Sequence, residues 1–538
     1  MKKIFVVEFG GTPSRAELCL LMNCAAGLYP DMEFIIYPLD KDINSPNYIN
    51  SRDLCSNYRV LNHLSSNSEF ASSAVTRKEF LFDEFLDSAG IGKKEETILN
   101  LVSDNGSLGR KGQMLLDICF ERDEQSQVVQ NGYYGRADIG AVTSRFLIHK
   151  QVYNTMGLVS DINKALSEGG DGVAVIILCS SFGGTGASLG VNFGEYLAKK
   201  YQGQRQKLKL HCIHIQPYFS FPDPTDTDPW KINSRVFYAK SASVITAYGN
   251  KKNFIRNITQ DEIDNPMNQT MTESYIFDSF YYIGQEVLDP VSDTNAAKDK
   301  QENRLHMIDM LVGMAIEDAV NKDLEAGPQI FSYLYSGTGT ETLTWSHMKN
   351  PIQFMQKHIS FARFSAFILQ VLKPMLDLEN ESYVSEALIF HIYGPEGWFG
   401  KKANRARVIQ ETDTEFRECL IKVIDFCRNY LTYWRQIELT TTYGQQNAKI
   451  TCFFNQKEIS RVLEPVSCLK TGKKHLVLDN LTKAEGIHGN GLTGSVIYNK
   501  LNSSPSLKMA AGGGKRGADA ASMLLAEIYK QCELSINE

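Results

Sequence analysis

Short apolar runs that break off at glycine or acidic residues, each followed by apolar positions at helical spacing, organise the first part of the chain. The run from Lys3 to Glu8 stops at Gly10-Gly11-Thr12-Pro13-Ser14 and gives way to a helix-like stretch from Ala16 to Ala26. A second run, Met32 to Leu39, ends in Asp40-Lys41-Asp42. The next hundred residues are polar and helical or irregular, with Thr97 to Val102 as their expected strand. A glycine-containing turn, Asn131-Gly132-Tyr133-Tyr134-Gly135-Arg136-Ala137-Asp138, then leads into another helix-like stretch.

Gly172 to Cys179 is an unbroken apolar run, the pattern of a parallel strand covered on both faces, and it is expected at the centre of the sheet. After it come the glycines of Ser181-Phe182-Gly183-Gly184-Thr185-Gly186-Ala187-Ser188. A helix follows in which Leu189, Phe193, Tyr196 and Leu197 recur at helical spacing, closed by Lys199-Lys200. Leu208 to Ile215 reads as a further strand, and this alternation predicts an α/β domain with a mainly parallel sheet.

Beyond a proline-rich loop from Pro217 to Pro229, the pattern predicts a helix from about Lys231 to Asn250 and a strand from Tyr275 to Ile283. A long helix is expected over Gln301 to Val320; it is apolar almost all round and therefore buried. Past Pro328 the pattern changes to long amphipathic helices, Pro351 to Leu376 and Thr414 to Gln436, with strand-like runs such as Lys449 to Phe454. A boundary near 328 follows. It separates a domain over residues 1–300, with its helix and loop at 301–328, from an enlarged α+β C-terminal domain at 329–538. Phe361, Phe364, Phe367, Phe426 and Trp434 read as core of the second part. Gly512 to Gly517 reads as part of a flexible connection to a last helix, Ala518 to Cys532.

Length supports this division, since 538 residues exceed one ordinary core. Lysine and arginine number 56 against 62 acidic residues, so no basic excess argues for nucleic acid. No apolar run approaches the roughly 20 residues of a membrane span, and a cytoplasmic location is expected. Eleven cysteines without a CxxC pair read as reduced and mostly buried. His211 and His214, three apart in a strand, point to opposite faces and make no metal pair.

The glycine run between a parallel strand and a helix carries the chemistry. Gly183, Gly184 and Gly186 permit close approach of an anion to backbone N–H groups at the helix N-terminus, and Thr185 and Ser188 offer hydroxyls. No lysine follows to make a P-loop, and Gly10-Gly11 does not supply a dinucleotide fingerprint. Gly186-Ala187-Ser188-Leu189-Gly190 matches the GxSxG elbow of serine hydrolases, which needs its serine on the turn at the strand's end; Ser188 falls about nine residues too late.

Strand, Gly-Gly-Thr-Gly-Ala-Ser, helix, and then the strand His211-Cys212-Ile213-His214-Ile215-Gln216-Pro217-Tyr218 together resemble the tubulin/FtsZ signature GGGTG[ST]G and the proline-ended strand after it. Phe182 stands where that family usually has its first glycine. The resemblance covers about residues 1 to 328 and implies a tubulin/FtsZ-like, Rossmann-type nucleotide-binding domain with a central core helix. It implies GTP or GDP with Mg²⁺, held by Gly10, Gly11 and Thr12, by Asp40, by Gly135 and Arg136, and by Ser181, Gly183, Gly184, Thr185, Gly186, Ala187 and Ser188. Amide side chains that read the base correspond to Asn233, Gln301 and Asn303. Asp323 and Glu325, with Asp318 nearby, correspond to an acidic loop that reaches the nucleotide of the next subunit and orients water. The implied activity is a GTPase that assembles head to tail into filaments. The alternative is a nucleotide-holding sensor or scaffold that does not hydrolyse, for example in a bacterial defence or conflict system, with a protein partner for the C-terminal domain.

Overall fold

A computed structural model describes residues 2–40, 43–65, 69–79, 97–102, 110–126, 128, 133, 135–149, 157–168, 172–220, 234–249, 276–285, 288–290, 304–321, 329–335, 350–376, 414–442, 453–466, 474–482, 491–507 and 517–534. Seven strands form one sheet: β1 (Lys2–Phe9), β2 (Met32–Leu39), β3 (Ala74–Arg77), β4 (Val173–Ser180), β5 (Leu208–Ile215), β6 (Ser279–Gln285) and β7 (Gln329–Tyr335). Their order is 3-2-1-4-5-6-7, and every neighbouring pair is parallel. This is a mixed α/β, Rossmann-like architecture. Because β1 continues to β2 on one side while β4 continues to β5 on the other, the chain diverges between β1 and β4. A crevice forms there at the strands' C-terminal ends.

Strand alternation divides the core into two layers. Ile4, Val6, Ile176 and Leu178 face one side with α1 (Pro13–Ala25), α2 (Pro46–Leu64) and α7 (Met307–Asn321). Phe5, Val7, Phe9, Val175 and Ile177 face the other, against α3 (Ala137–His149), α4 (Gly157–Ser167) and α5 (Gly184–Lys200). Side chains of period two on a sheet buried on both faces make such unbroken apolar runs necessary. Helix α5 lies close on β4 because glycine recurs every fourth residue on its inner side. A Cβ at Gly190 would come 2.6 Å from Cys179 Cβ, and one at Gly194 2.2 Å from the Phe277 ring.

The first layer continues into the C-terminal helices. Helices α8 (Pro351–Phe367, extended by a π-helical turn at Ile368–Leu372), α9 (Thr414–Thr442) and α10 (Gly517–Cys532) share a core with α1, α2 and α7. Phe361, Phe364, Phe367, Phe426 and Trp434 are fully buried there, as expected. Strand β7 lies beyond residue 328 and joins the sheet beside β6. Helix α6 (Phe237–Gly249) follows a short 3-10 turn, Ser234–Val236.

Two local expectations change. Thr97 to Val102 is not a strand: Ile98–Val102 is helical, with Ile98 and Leu101 buried at i and i+3. The Thr97 hydroxyl accepts the N–H of Asn100 at 3.2 Å, a helix-starting bond that a short apolar run does not reveal. The third strand is instead Ala74–Arg77, whose four residues are too few and too polar to announce themselves. The described part of the core helix begins only at Met307: His306 and Asp309 cap it, with the His306 N–H donating to Asp309 Oδ2 at 2.8 Å and the Ile308 N–H to His306 Nδ1 at 3.0 Å. Of the run Lys449 to Phe454, only Phe453 and Phe454 are described, and Phe454 forms an isolated bridge with Thr482.

Candidate functional site

The register of the central strands brings three loops level. Phe9 pairs with Leu39 on one side and with Cys179 on the other, so Gly10, Asp40 and Ser180 emerge side by side. The Gly10 N–H donates to the Leu39 carbonyl at 3.1 Å. Gly10 holds φ at +85°, a left-handed conformation that favours glycine. Around these loops lies a cavity of ≈ 160 Å³, lined by Gly10, Gly11, Thr12, Asp40, Gly135 and the run Phe182 to Gly186.

The cavity floor is the start of α5. Its N-cap is Gly183, and no side chain caps it. Helix starts leave several N–H groups without intrahelical partners, and those groups attract an anion. Close packing forces glycine here: a Cβ at Gly186 would lie 2.6 Å from Ser180 N and 3.0 Å from the Phe9 carbonyl oxygen, and one at Gly184 would lie 2.6 Å from Tyr133 Cβ. A Cβ at Gly11 would come 3.1 Å from Asp40 Oδ2, so the absence of a side chain there admits the carboxylate.

Of the residues expected to hold a ligand, Gly10, Gly11, Thr12, Asp40, Gly135, Gly183, Gly184, Thr185 and Gly186 line this one cavity. Ser181, Ala187 and Ser188 are buried in its supporting wall. Ser181 Oγ lies 2.7 Å from Ser241 Oγ and donates to Gln216 Oε1 at 3.0 Å. Ser188 donates to the Gly184 carbonyl at 2.6 Å and packs against Gly140. A serine nucleophile must stand exposed at the strand's end; Ser188 is fully buried inside α5, which removes the hydrolase reading. Arg136 sits at the rim with its guanidinium engaged: Nε donates to Asp138 Oδ1 at 3.0 Å, Nη2 to Asp138 Oδ2 at 2.6 Å, and Nη1 to Glu124.

Phe182 needs no glycine backbone, since it is not among the residues with positive φ. Its ring packs with Phe237 at 4.9 Å and with Phe219 at 5.5 Å, and all three rings line the cavity. Asp318 accepts a hydrogen bond from the Tyr281 hydroxyl of β6 at 2.7 Å. Asn233, Gln301, Asn303, Asp323 and Glu325 lie outside the described residues, as do Gly512, Gly513 and Gly514.

Several lining residues escape a reading based on glycine motifs. Ser45 and Asn47 flank Pro46 at the start of α2, and the Ser45 hydroxyl accepts the Tyr48 N–H at 3.4 Å. The sequence signal was present there: a serine before proline after a strand's acidic end marks a helix start facing the same edge. Among the described lining residues, Arg15 is the cation. It is buried and paired with Asp309 of α7 at 3.5 Å, and it donates to the Tyr218 hydroxyl, which donates in turn to Asp309. Its signal was an arginine within a mostly apolar helix.

His211 and His214 lie on opposite faces of β5, as the strand period requires. His211 Nδ1 meets Ser279 Oγ at 2.7 Å, and burial lowers both imidazoles to about 3. Among the described residues, no group of three or more metal-ligating side chains converges, and no helix is long and apolar enough to cross a membrane. No family model, curated protein or solved structure matches this chain.

Proposed function

We propose that this chain binds a nucleoside polyphosphate, with guanine the expected base, at the crevice between β1 and β4. One observation carries the reading: the uncapped, glycine-lined start of α5 faces the loops after β1 and β2 at the point where the sheet's connections diverge. Thr12 and Thr185 add hydroxyls, and Asp40 is the carboxylate beside them. Mg²⁺ suits such a site, because it is usually held by one or two carboxylates together with substrate phosphates. The cavity of ≈ 160 Å³ is smaller than the roughly 300–1,000 Å³ that encloses a whole small ligand, so it takes the phosphate end.

The strand order, the glycine loop and the buried helix α7 agree with a tubulin/FtsZ-like domain, and from that resemblance follow head-to-tail assembly and a GTPase site completed by Asp323 and Glu325 of a second copy. A second reading, nucleotide binding without turnover, draws on Asp318, whose carboxylate is engaged by Tyr281. The nucleotide that co-purifies with the protein tests binding directly, with guanosine di- or triphosphate expected. If none co-purifies and calorimetry with GTP and Mg²⁺ shows no heat, the proposal fails. Sedimentation and phosphate release with GTP separate the two readings: polymer with concentration-dependent release supports the GTPase, and Asp323→Ala then keeps polymer but loses release.

A further inference from the structure

The pocket contains no lysine in its own glycine loop, yet a lysine reaches its rim from another helix. Lys240 of α6 donates from Nζ to the Gly135 carbonyl at 2.9 Å, and Gly135 lines the cavity. Helix α6 is tied to the pocket at two further points. Phe237, one turn before Lys240, lines the cavity itself, and Ser241 meets Ser181 of the glycine loop at 2.7 Å. Lys240 Nζ and the start of α5 therefore flank the same glycine. A Cβ at Gly135 would lie 3.4 Å from Lys240 Nζ, and a Cβ at Gly184 would lie 3.3 Å from Gly135 N.

The charges at this rim are unequally matched. Arg136 is engaged by both Asp138 and Glu124. Lys240 is partly buried and forms no ion pair among the described residues. Burial and the neighbouring Arg136 charge both act against its ammonium and lower its pKa, with Asp138 a smaller opposing influence. A cation withdrawn from water without a counter-ion is costly, and a nearby anion removes that cost. One N–H of the ammonium is used by the Gly135 carbonyl, and an ammonium carries three.

We propose that Lys240 is the phosphate-recognising cation of this pocket, contacting the polyphosphate of the bound ligand from α6 while the backbone of α5 cradles it. It would supply from across the pocket the charge that a P-loop carries within its own loop. The inference rests on the nucleotide reading above.

Calorimetric titrations of the full chain with GTP and with inorganic tripolyphosphate, in the presence of Mg²⁺, test it in wild type, Lys240→Met and Lys240→Arg. Loss of one charge-assisted hydrogen bond predicts that Lys240→Met weakens both ligands by about 10- to 100-fold. Lys240→Arg should stay within a few-fold of wild type, and the salt dependence of Lys240→Met should be flatter. Thermal unfolding without ligand should be nearly unchanged in Lys240→Met, with the ligand-induced rise reduced. Wild-type binding with unchanged affinity in Lys240→Met overturns the role of Lys240 alone. A large fall in the melting temperature of unliganded Lys240→Met, or equal loss in Lys240→Arg, makes the residue structural and also overturns it. If wild type binds neither ligand, the nucleotide reading itself fails.

Discussion

His358 Nε2 lies 3.1 Å from Asn23 Oδ1, joining α8 of the C-terminal half to α1 beneath the sheet. The bond belongs to a directional chain. The Tyr430 hydroxyl proton faces two acceptors, His358 Nδ1 at 2.8 Å and the His358 carbonyl at 3.2 Å, while His358 Nε2–H donates to Asn23, the Asn23 amide donates to the Tyr29 hydroxyl at 2.7 Å, and Tyr29 donates to the Gly313 carbonyl of α7 at 3.2 Å. Burial keeps the imidazole neutral, and with its proton on Nε2 the ring donates to Asn23 and leaves Nδ1 as an acceptor facing Tyr430. His358→Leu should therefore cost about 2–4 kcal/mol, because Asn23 and Tyr430 would each lose a buried partner. Urea unfolding of the single variants and of the Asn23→Leu/His358→Leu pair checks this, with the pair expected to lose less than the sum.

Three buried histidines set a common pH dependence. Burial lowers His211, His214 and His358 from 6.5 to about 3. In the unfolded chain they take up protons below about pH 6.5, while in the fold they stay neutral until near pH 3. The folded state is then favoured fully above pH 6.5 and loses stability as the pH falls towards 3, by up to about 1.4 kcal/mol per pH unit for each histidine. Denaturant titrations between pH 7 and pH 4 measure the slope, which should be shallower in His358→Gln.

Glu8 acts in the opposite direction. It lies one residue before the end of β1, fully buried, and burial, with the charge of Glu17, raises its carboxyl well above the ordinary range. The unfolded carboxyl ionises near 4.5 while the folded one keeps its proton, so its contribution is complete below that pH and is lost as pH rises towards the folded value. Glu8→Gln keeps the shape without the proton. It should raise the melting temperature at pH 7–8 and leave it unchanged below pH 4; a fall at pH 8 would show an ionised Glu8.

Arg15 and Asp309 form a fully buried ion pair at 3.5 Å between α1 and α7. Removing either alone, as Arg15→Met or Asp309→Leu, leaves an uncompensated charge and should cost about 3–5 kcal/mol. The double variant should recover much of that. Additive losses in a double-mutant cycle by chemical denaturation would show that the pair is not coupled.

At Gly186, a side chain has no room against the backbone of Ser180 and Phe9. Gly186→Ala should destabilise by about 1–3 kcal/mol and abolish binding of tripolyphosphate as well as nucleotide. Thermal unfolding and calorimetry on the same preparation read both effects. Ligand binding at wild-type strength would mean that the anion does not approach α5 here.

The sequence by itself determined the parallel α/β layer, because continuous apolar runs such as that from Gly172 to Cys179 suit a strand buried on both faces. It also placed the glycine loop, since Gly183, Gly184 and Gly186 sit between that strand and an amphipathic helix. Those are local patterns, carried by neighbouring residues. The short strand Ala74–Arg77 was illegible because four residues carry too little periodicity, and Thr97 started a helix through its own hydroxyl rather than through any apolar pattern. Only the tertiary structure decided what meets what. Strand register brings Gly10, Asp40 and Ser180 to one level, α7 supplies Asp309 to Arg15, and α6 carries Lys240 to Gly135. The partners in the last two pairs are more than a hundred residues apart, and such contacts depend on the burial of whole helix faces, which no short window of sequence contains.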